Sequence, residues 1–154
     1  MSIDSSTLLF FDASCFIAAA GSPSGGSSFL FSLCTRGLLR GSASHLVLLE
    51  VERNLQTKFT PEALLNYHRL IQSIPLVLTD APSSQELHRF QDRVNAKDVH
   101  VIAAAVEVAA AYLITLDKPL EEQVNTASVA VLALSPGVFI TAVLPTHVDY
   151  PTIR

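Results

Sequence analysis

The chain has 154 residues, a length that fits one domain around one core. Its apolar fraction of 49% and charged fraction of 16% exclude a largely disordered chain and suit helices covering a sheet that is buried on both faces. The net charge of −4 speaks against a broad basic surface that grips nucleic acid by counterion release.

No apolar run reaches the roughly 18 residues that a membrane-spanning helix needs. The start, Met1-Ser2-Ile3-Asp4, lacks the basic opening of a secretory signal, so a cytoplasmic protein with no membrane contact is expected. Cys15 and Cys34 belong to no CxxC pair and lie in apolar stretches. They are expected as small buried residues, and a structural zinc site is not.

In chain order, residues 7–11 (TLLFF) form a short apolar run ending at Asp12, the pattern of a buried strand. A helix is expected over 14–20, a flexible loop over 21–26, and a second helix over 27–39. Residues 41–44 are a weak strand candidate, and 45–57 read as a helix carrying Glu50, Glu52 and Arg53. Thr60-Pro61 opens a helix running to about residue 73, with Thr as N-cap and Pro in its first position. Residues 76–78 follow as a strand, then a helix from a Ser83/Glu86 capping box to about 94. Residues 98–111 are Ala-rich with no wide polar face, so a buried helix with Asp98 at its mouth is expected, its carboxylate beside free backbone N–H groups. Strands are expected at 112–116, ending at Asp117, and at 129–134. A last helical turn spans 138–144, and a frayed tail covers 145–154. Strands alternating with helices imply parallel pairing.

Asp12 and Asp117 each follow an apolar strand directly. In a parallel sheet the carboxyl ends of the strands share one edge, where ligands bind, so the two can converge. Asp98 reaches the same edge if its helix runs into the final strands, and Glu50 lies six residues after Ser44. Each acid alone also fits a turn, cap or surface position. As a set they would repel one another unless a cation lies among them, and oxygen donors without His or Cys suit Mg²⁺ or Mn²⁺. Glu52 competes with Glu50, since both flank the Val47/Leu48/Val51/Leu55 stripe; the spacing to Ser44 and Leu55 favours Glu50. His45 and His100 read as structural or surface histidines, and Arg53, Lys97 and Lys118 as solvated charge.

The order strand–Asp12-Ala13-Ser14, Ser44-x5-Glu50-x4-Leu55, Lys97-Asp98-x-His100-x-Ile102-Ala103-Ala104-Ala105 and Thr115-Leu116-Asp117 resembles the PIN domain over residues 8–144. The resemblance implies an α/β fold, a three-layer α/β/α sandwich around a mostly parallel sheet of about five strands. Residues 1–144 would be the PIN-like domain and 145–154 a tail. It implies a metal-dependent nuclease with Asp12, Glu50, Asp98 and Asp117 as catalytic and metal-holding acids, and Ser14 and Thr115 as hydroxyls that help hold the site. It further implies an RNA substrate, an antitoxin partner and a homodimer, because many members are toxins similar to the virulence-associated toxin C type. A competing expectation is a catalytically silent PIN-like domain that only binds protein. A phosphatase of the haloacid dehalogenase type would want Asp-x-Asp after the first strand, and the third residue here is Ser14.

Overall fold

A computed structural model describes residues 2–127 and 129–153. Five strands form one parallel sheet: β1 (Leu8–Phe11), β2 (Arg40–Ser44), β3 (Leu76–Thr79), β4 (Tyr112–Ile114) and β5 (Leu132–Leu134), in the order β3-β2-β1-β4-β5. The most apolar strand, β1, takes the centre, where Leu9, Phe10 and Phe11 are completely buried. Phe11 pairs with Ile114 of β4 and Phe10 with Ser42 of β2, so all carboxyl ends face one edge. Because parallel strands require crossovers, helices fill the intervals and cover both faces of the sheet, giving the expected α/β/α sandwich.

One helical group comprises α1 (Ala13–Gly21), α2 (Gly26–Thr35), α3 (His45–Lys58) and α4 (Pro61–Ser73), with α1 touching the other three. Their contact is aromatic. Phe31 lies 4.5 Å from Phe11 and 4.8 Å from Phe16 between ring centroids, and Tyr67 of α4 meets Phe16 edge-on at 6.4 Å. The second group pairs α5 (Ser84–Phe90) with α6 (Val99–Glu107). In α6, Ala103, Ala104 and Ala105 are wholly buried, and this small-residue face lets the helix approach β2 closely.

β2, weak by strand propensity, forms because its small residues are what the packing demands. A Cβ on Gly41 would come within 3.1 Å of Leu76, 3.2 Å of Cys34 and 3.2 Å of Phe11. Ser42, fully buried, donates its hydroxyl to the Leu9 carbonyl at 2.9 Å. Side-chain caps open the next two helices, Ser44 accepting from the Val47 amide and Thr60 from the Ala63 amide.

Several expectations need correction. The second helix stops at Thr35 rather than residue 39, because Gly37 turns the backbone to φ +76°. The helix after Ser83 ends at Phe90, and Glu86 pairs with Arg89 at 3.1 Å instead of closing a reciprocal capping box. The Ala-rich helix ends at Glu107, just before Ala109 takes φ 58°. A helix over Lys118–Thr126 (α7), capped by Asp117, lies where no element was expected. It reads clearly afterwards: Asp117-Lys118-Pro119 is a start signal, and Leu120 and Val124 are its buried face.

As far as Ile153 the tail does not fray, and Arg154 lies outside the described residues. Pro136–Val138 (α8) continues into a π-helical turn, Phe139–Val143, and a 3₁₀ turn, Leu144–Thr146. The backbone of His147 then bridges Ile3 in parallel. The buried His147 ring donates from Nε2 to the Leu38 carbonyl at 2.7 Å and accepts the Asp149 amide at Nδ1. A closing turn, Tyr150–Ile153 (α9), buries Ile153. Both cysteines are free and buried as expected. Burial pushes Cys34 up to about 12 and Cys15 well above its ordinary value, so neither thiol ionises near neutrality. No helix among the described residues is long and apolar enough to cross a membrane.

Candidate active site

Asp12 is the first residue beyond β1 and caps α1. Its amide donates to the Ile114 carbonyl at 3.2 Å, which extends the β1–β4 ladder by one step and fixes its position. One carboxylate oxygen accepts from both the Ser14 amide, at 3.1 Å, and the Ser14 hydroxyl. The other accepts from the Thr115 hydroxyl at 2.6 Å. Thr115, fully buried beyond β4, accepts in turn from the Asp117 amide at 2.9 Å, and the Ser14 oxygen accepts from the Leu116 amide at 2.9 Å. The two hydroxyls therefore lace the end of β1 to the end of β4, with Asp12 at the knot.

Only 5% of Asp12 is exposed. Burial raises its pKa from 3.8 to about 6; the Ser14 and Thr115 hydrogen bonds pull it down, and the nearby Asp117 charge pushes it up. The fold thus keeps a carboxylate where the anion is costly, with a second acid near it. Asp117 is partly exposed and also caps α7 by accepting from the Leu120 amide at 3.2 Å.

Asp98 lies in the 3₁₀ turn Ala96–Asp98 that leads into α6 and is 8% exposed. Its expected capping role is not observed: its backbone is already helical and its side chain caps no amide. The carboxylate accepts instead from the Gln123 side chain of α7 at 3.2 Å. The side-chain oxygen of Gln123 accepts the Asn95 amide at 2.6 Å, which pins the approach to Asp98. Gln123 escaped the sequence reading because α7 itself did.

Glu50 projects, exposed, from the second turn of α3. Its charge and that of Asp98 both act on His100 of α6, against burial, which pulls the imidazole pKa below its ordinary value. Glu52 instead acts on Tyr67, which burial first and Glu52 second push up to about 12. The two rival glutamates therefore act on different neighbours, Glu50 on His100 and Glu52 on Tyr67. Ser44 is the N-cap of α3, a structural role. His45, Arg53, Lys97 and Lys118 are exposed, as expected of solvated groups.

Asp12 and Asp117 thus meet through Thr115 at the ends of β1 and β4, while Asp98 is held by Gln123 and Glu50 stands exposed on α3. Among the described residues, no three His, Cys, Asp or Glu side chains form a group that could hold a metal ion. The donor set nonetheless fits Mg²⁺ or Mn²⁺. Mg²⁺ keeps several waters and uses only one or two carboxylates, and the buried Asp12 anion beside Asp117 is the kind of charge a cation would relieve. A cleft of about 330 Å³ bounded by Ala18, Ser22, Gly26, Leu116 and Pro136 opens beside this edge. A larger one, about 520 Å³, lies at the amino ends of β4 and β5 and touches none of the acids.

A parallel five-stranded sheet defines an α/β protein, with Asp12 and Asp117 at the carboxyl edge where such sheets bind ligands. The chain belongs to the PIN-domain family, whose model matches residues 9–119. Solved structures agree on the fold. PAE2754 from Pyrobaculum aerophilum is 17% identical, with a TM-score of 0.62 over 87% of this chain and 93% of that one. VapBC2 from Rickettsia felis, bound to a DNA fragment from its promoter, is 12% identical, with a TM-score of 0.63 over 84% and 98%. VapC20 from Mycobacterium tuberculosis, a toxin that cleaves the sarcin–ricin loop, is 15% identical, with a TM-score of 0.55 over 79% and 95%. Among curated protein sequences, none matches this chain.

Proposed function

We propose that this PIN-domain chain is a metal-dependent endoribonuclease that hydrolyses phosphodiester bonds, the toxin of a toxin–antitoxin pair. The observation that carries the reading is Asp12, a buried carboxylate held by Ser14 and Thr115, destabilised as an anion and placed next to Asp117. Capping α1 accounts for the bond from the Ser14 amide but not for the burial or for the Thr115 hydroxyl on the other oxygen. The fold likeness to VapC20 and VapBC2 points the same way on substrate and partner.

Asp12 and Asp98 would hold the ion, Mg²⁺ or Mn²⁺, with Asp117 joining directly or through water. When bound, such an ion supplies a water of lowered pKa and neutralises charge on the phosphodiester. Ser14 and Thr115 keep the Asp12 carboxylate ionised and fixed in orientation, so it meets a cation without rearranging. Gln123 restrains Asp98 in the same way through its Oδ2. Glu50, on an exposed and rotatable side chain, orients the attacking water. The net charge of −4 leaves RNA affinity to a few local contacts, to loops or to the groove of a homodimer.

The test is cleavage of a panel of transfer, ribosomal and messenger RNAs with Mn²⁺ or Mg²⁺, with EDTA and Asp98→Asn as controls. Metal-dependent cutting that the variant lacks is the expected result; no cutting under any metal refutes the enzyme. The absence of a ready-made three-acid group favours one rival, a silent domain that binds only a protein partner. Thermal shift separates the two, because a silent module gains no stability from Mn²⁺.

A further inference from the structure

We infer that the cleft beside Leu116 is a subsite for one unpaired nucleobase of the RNA, the base of a nucleotide adjoining the bond that is cut. The inference deepens the nuclease reading and rests on it for the identity of the ligand; the cleft itself stands on the geometry of the fold.

Leu116 forms one wall of the cleft and lies between Thr115 and Asp117. Its amide donates to the Ser14 hydroxyl at 2.9 Å. The amides on either side are fixed as well, Thr115 donating to the Leu134 carbonyl at 3.0 Å and Asp117 to the Thr115 hydroxyl at 2.9 Å. Ser14 and Thr115 are the groups that hold the Asp12 carboxylate, so the wall of the cleft and the acidic edge belong to one hydrogen-bonded unit. The Leu116 side chain is 48% exposed, which leaves apolar surface available one residue from Asp117.

Further walls come from Ala18, Gly26, Pro136 and Gly137. The volume of about 330 Å³ lies at the low end of small-molecule sites, about 300–1,000 Å³, and suits one base with part of its ribose. No lining residue carries a charge, so the cleft favours a neutral, largely apolar occupant. With carboxylates next to it, that selects a base over a phosphate or an acidic side chain. A base is tethered through one ribose to its phosphate, which brings it within reach when that phosphate meets Asp12 and Asp117. It must leave its stack to enter, and unpaired positions of RNA do so at least cost. The polar side chains of the lining are two hydroxyls, Ser22 and the buried Ser27, so the cleft reads ring area more than base identity.

Adenosine, a neutral probe, isolates the cleft from metal and phosphate. In EDTA, the amide resonances of Gly26 and Leu116 should shift saturably with adenosine and not with ribose. Ala18→Leu and Gly137→Leu, which fill the cleft, should abolish those shifts. A Cβ at Gly137 meets nothing within 4 Å, so the second variant keeps the fold where the first does not. In cleavage assays, an abasic nucleotide on one side of the scissile bond should lower wild-type kcat/KM about tenfold or more. The filled variants should cut intact and abasic RNA alike. No saturable shift, or shifts unchanged in Gly137→Leu, overturns the subsite. A stronger response to N-acetylphenylalaninamide than to adenosine also overturns it and assigns the cleft to a protein partner. Adenosine binding by a protein that cuts no RNA refutes the nuclease and leaves the cleft as a base site. Cleavage indifferent to abasic substitution on either side refutes the subsite and leaves the nuclease standing.

Discussion

Replacing Asp12 by Asn should stabilise the metal-free protein at pH 8 while abolishing RNA cleavage. The folded state raises the Asp12 pKa from 3.8 to about 6, chiefly because burial disfavours the anion. A difference of roughly two pKa units corresponds to about 3 kcal/mol at about 1.36 kcal/mol per unit. The sign follows from the direction. An acid whose pKa is higher folded than unfolded lowers stability wherever it must ionise. The penalty is absent below pH 3.8, grows between 3.8 and about 6, and is complete above that. Asn never ionises and so removes the penalty. It keeps an oxygen for Ser14 but presents an amide N–H₂ to Thr115 in place of the acceptor, giving back one hydrogen bond worth about 1 kcal/mol. The net expectation is a gain of about 2 kcal/mol at pH 8 that vanishes near pH 4.5 and becomes a small loss at pH 4. Urea denaturation of both proteins in EDTA, at several pH values between 4 and 8, reads this directly, since other titrating groups cancel in the difference. Added Mn²⁺ should reverse the ranking by stabilising the wild type alone, by about 2.7 kcal/mol at a hundredfold excess over its Kd. A variant that is less stable than the wild type at pH 8, or a gap independent of pH, refutes the reasoning.

Thr115→Val, nearly isosteric, strands both the Asp12 oxygen and the Asp117 amide, so unfolding should show a loss of about 2–3 kcal/mol at pH 8. Part of that loss should disappear in acid, because removing a hydrogen bond to the carboxylate drives its pKa higher still. Asp117→Asn keeps a cap for α7 and should leave thermal stability near wild type, whereas Asp117→Ala loses the cap and about 1 kcal/mol. Both should lack Mn²⁺-dependent cleavage, which separates the charge from the cap. Gly41→Val should destabilise by about 1–3 kcal/mol in the same assay, since even a Cβ there crowds Leu76, Cys34 and Phe11.

The sheet was legible because its central strand is written in one apolar run, and because Thr60-Pro61 and Ser83 are strong local start signals whose cap bonds the structure shows. What was hard to read depends on contacts distant in sequence. Arg40–Ser44 lacks β-branched residues and is a strand only because Cys34, Leu76 and Phe11 leave room for nothing larger at Gly41. Lys118–Thr126 has a mean polarity that hides its short buried stripe of Leu120 and Val124. The tail reads as polar and Pro-containing, yet the His147 ring finds Leu38, over a hundred residues away, and anchors it. Local pattern specifies elements well where the hydrogen-bond partners are local, and less well where they are not.

The same division runs through the site. Ser14 and Thr115 were expected only through the resemblance to the PIN domain, and each bridges β1 and β4 at the point where those strands end. Asp98 was legible as an acid but not in its surroundings: an N-cap was the natural local reading, and a tertiary partner, Gln123, replaced it. This has a mechanistic consequence. A carboxylate engaged by its own helix amides would be screened and directed along that helix. The Gln123 amide engages one Asp98 oxygen, Oδ2, and among the described residues no hydrogen bond is made to the other, Oδ1. Asp12 is therefore held by hydroxyls on both of its oxygens, and Asp98 by a side-chain amide on one. Among the described residues, no basic side chain forms an ion pair with Asp12 or Asp98. On the metal-dependent reading proposed above, a cation from solution would supply the balance, and reversal of the Asp12→Asn stability ranking by Mn²⁺ would measure it.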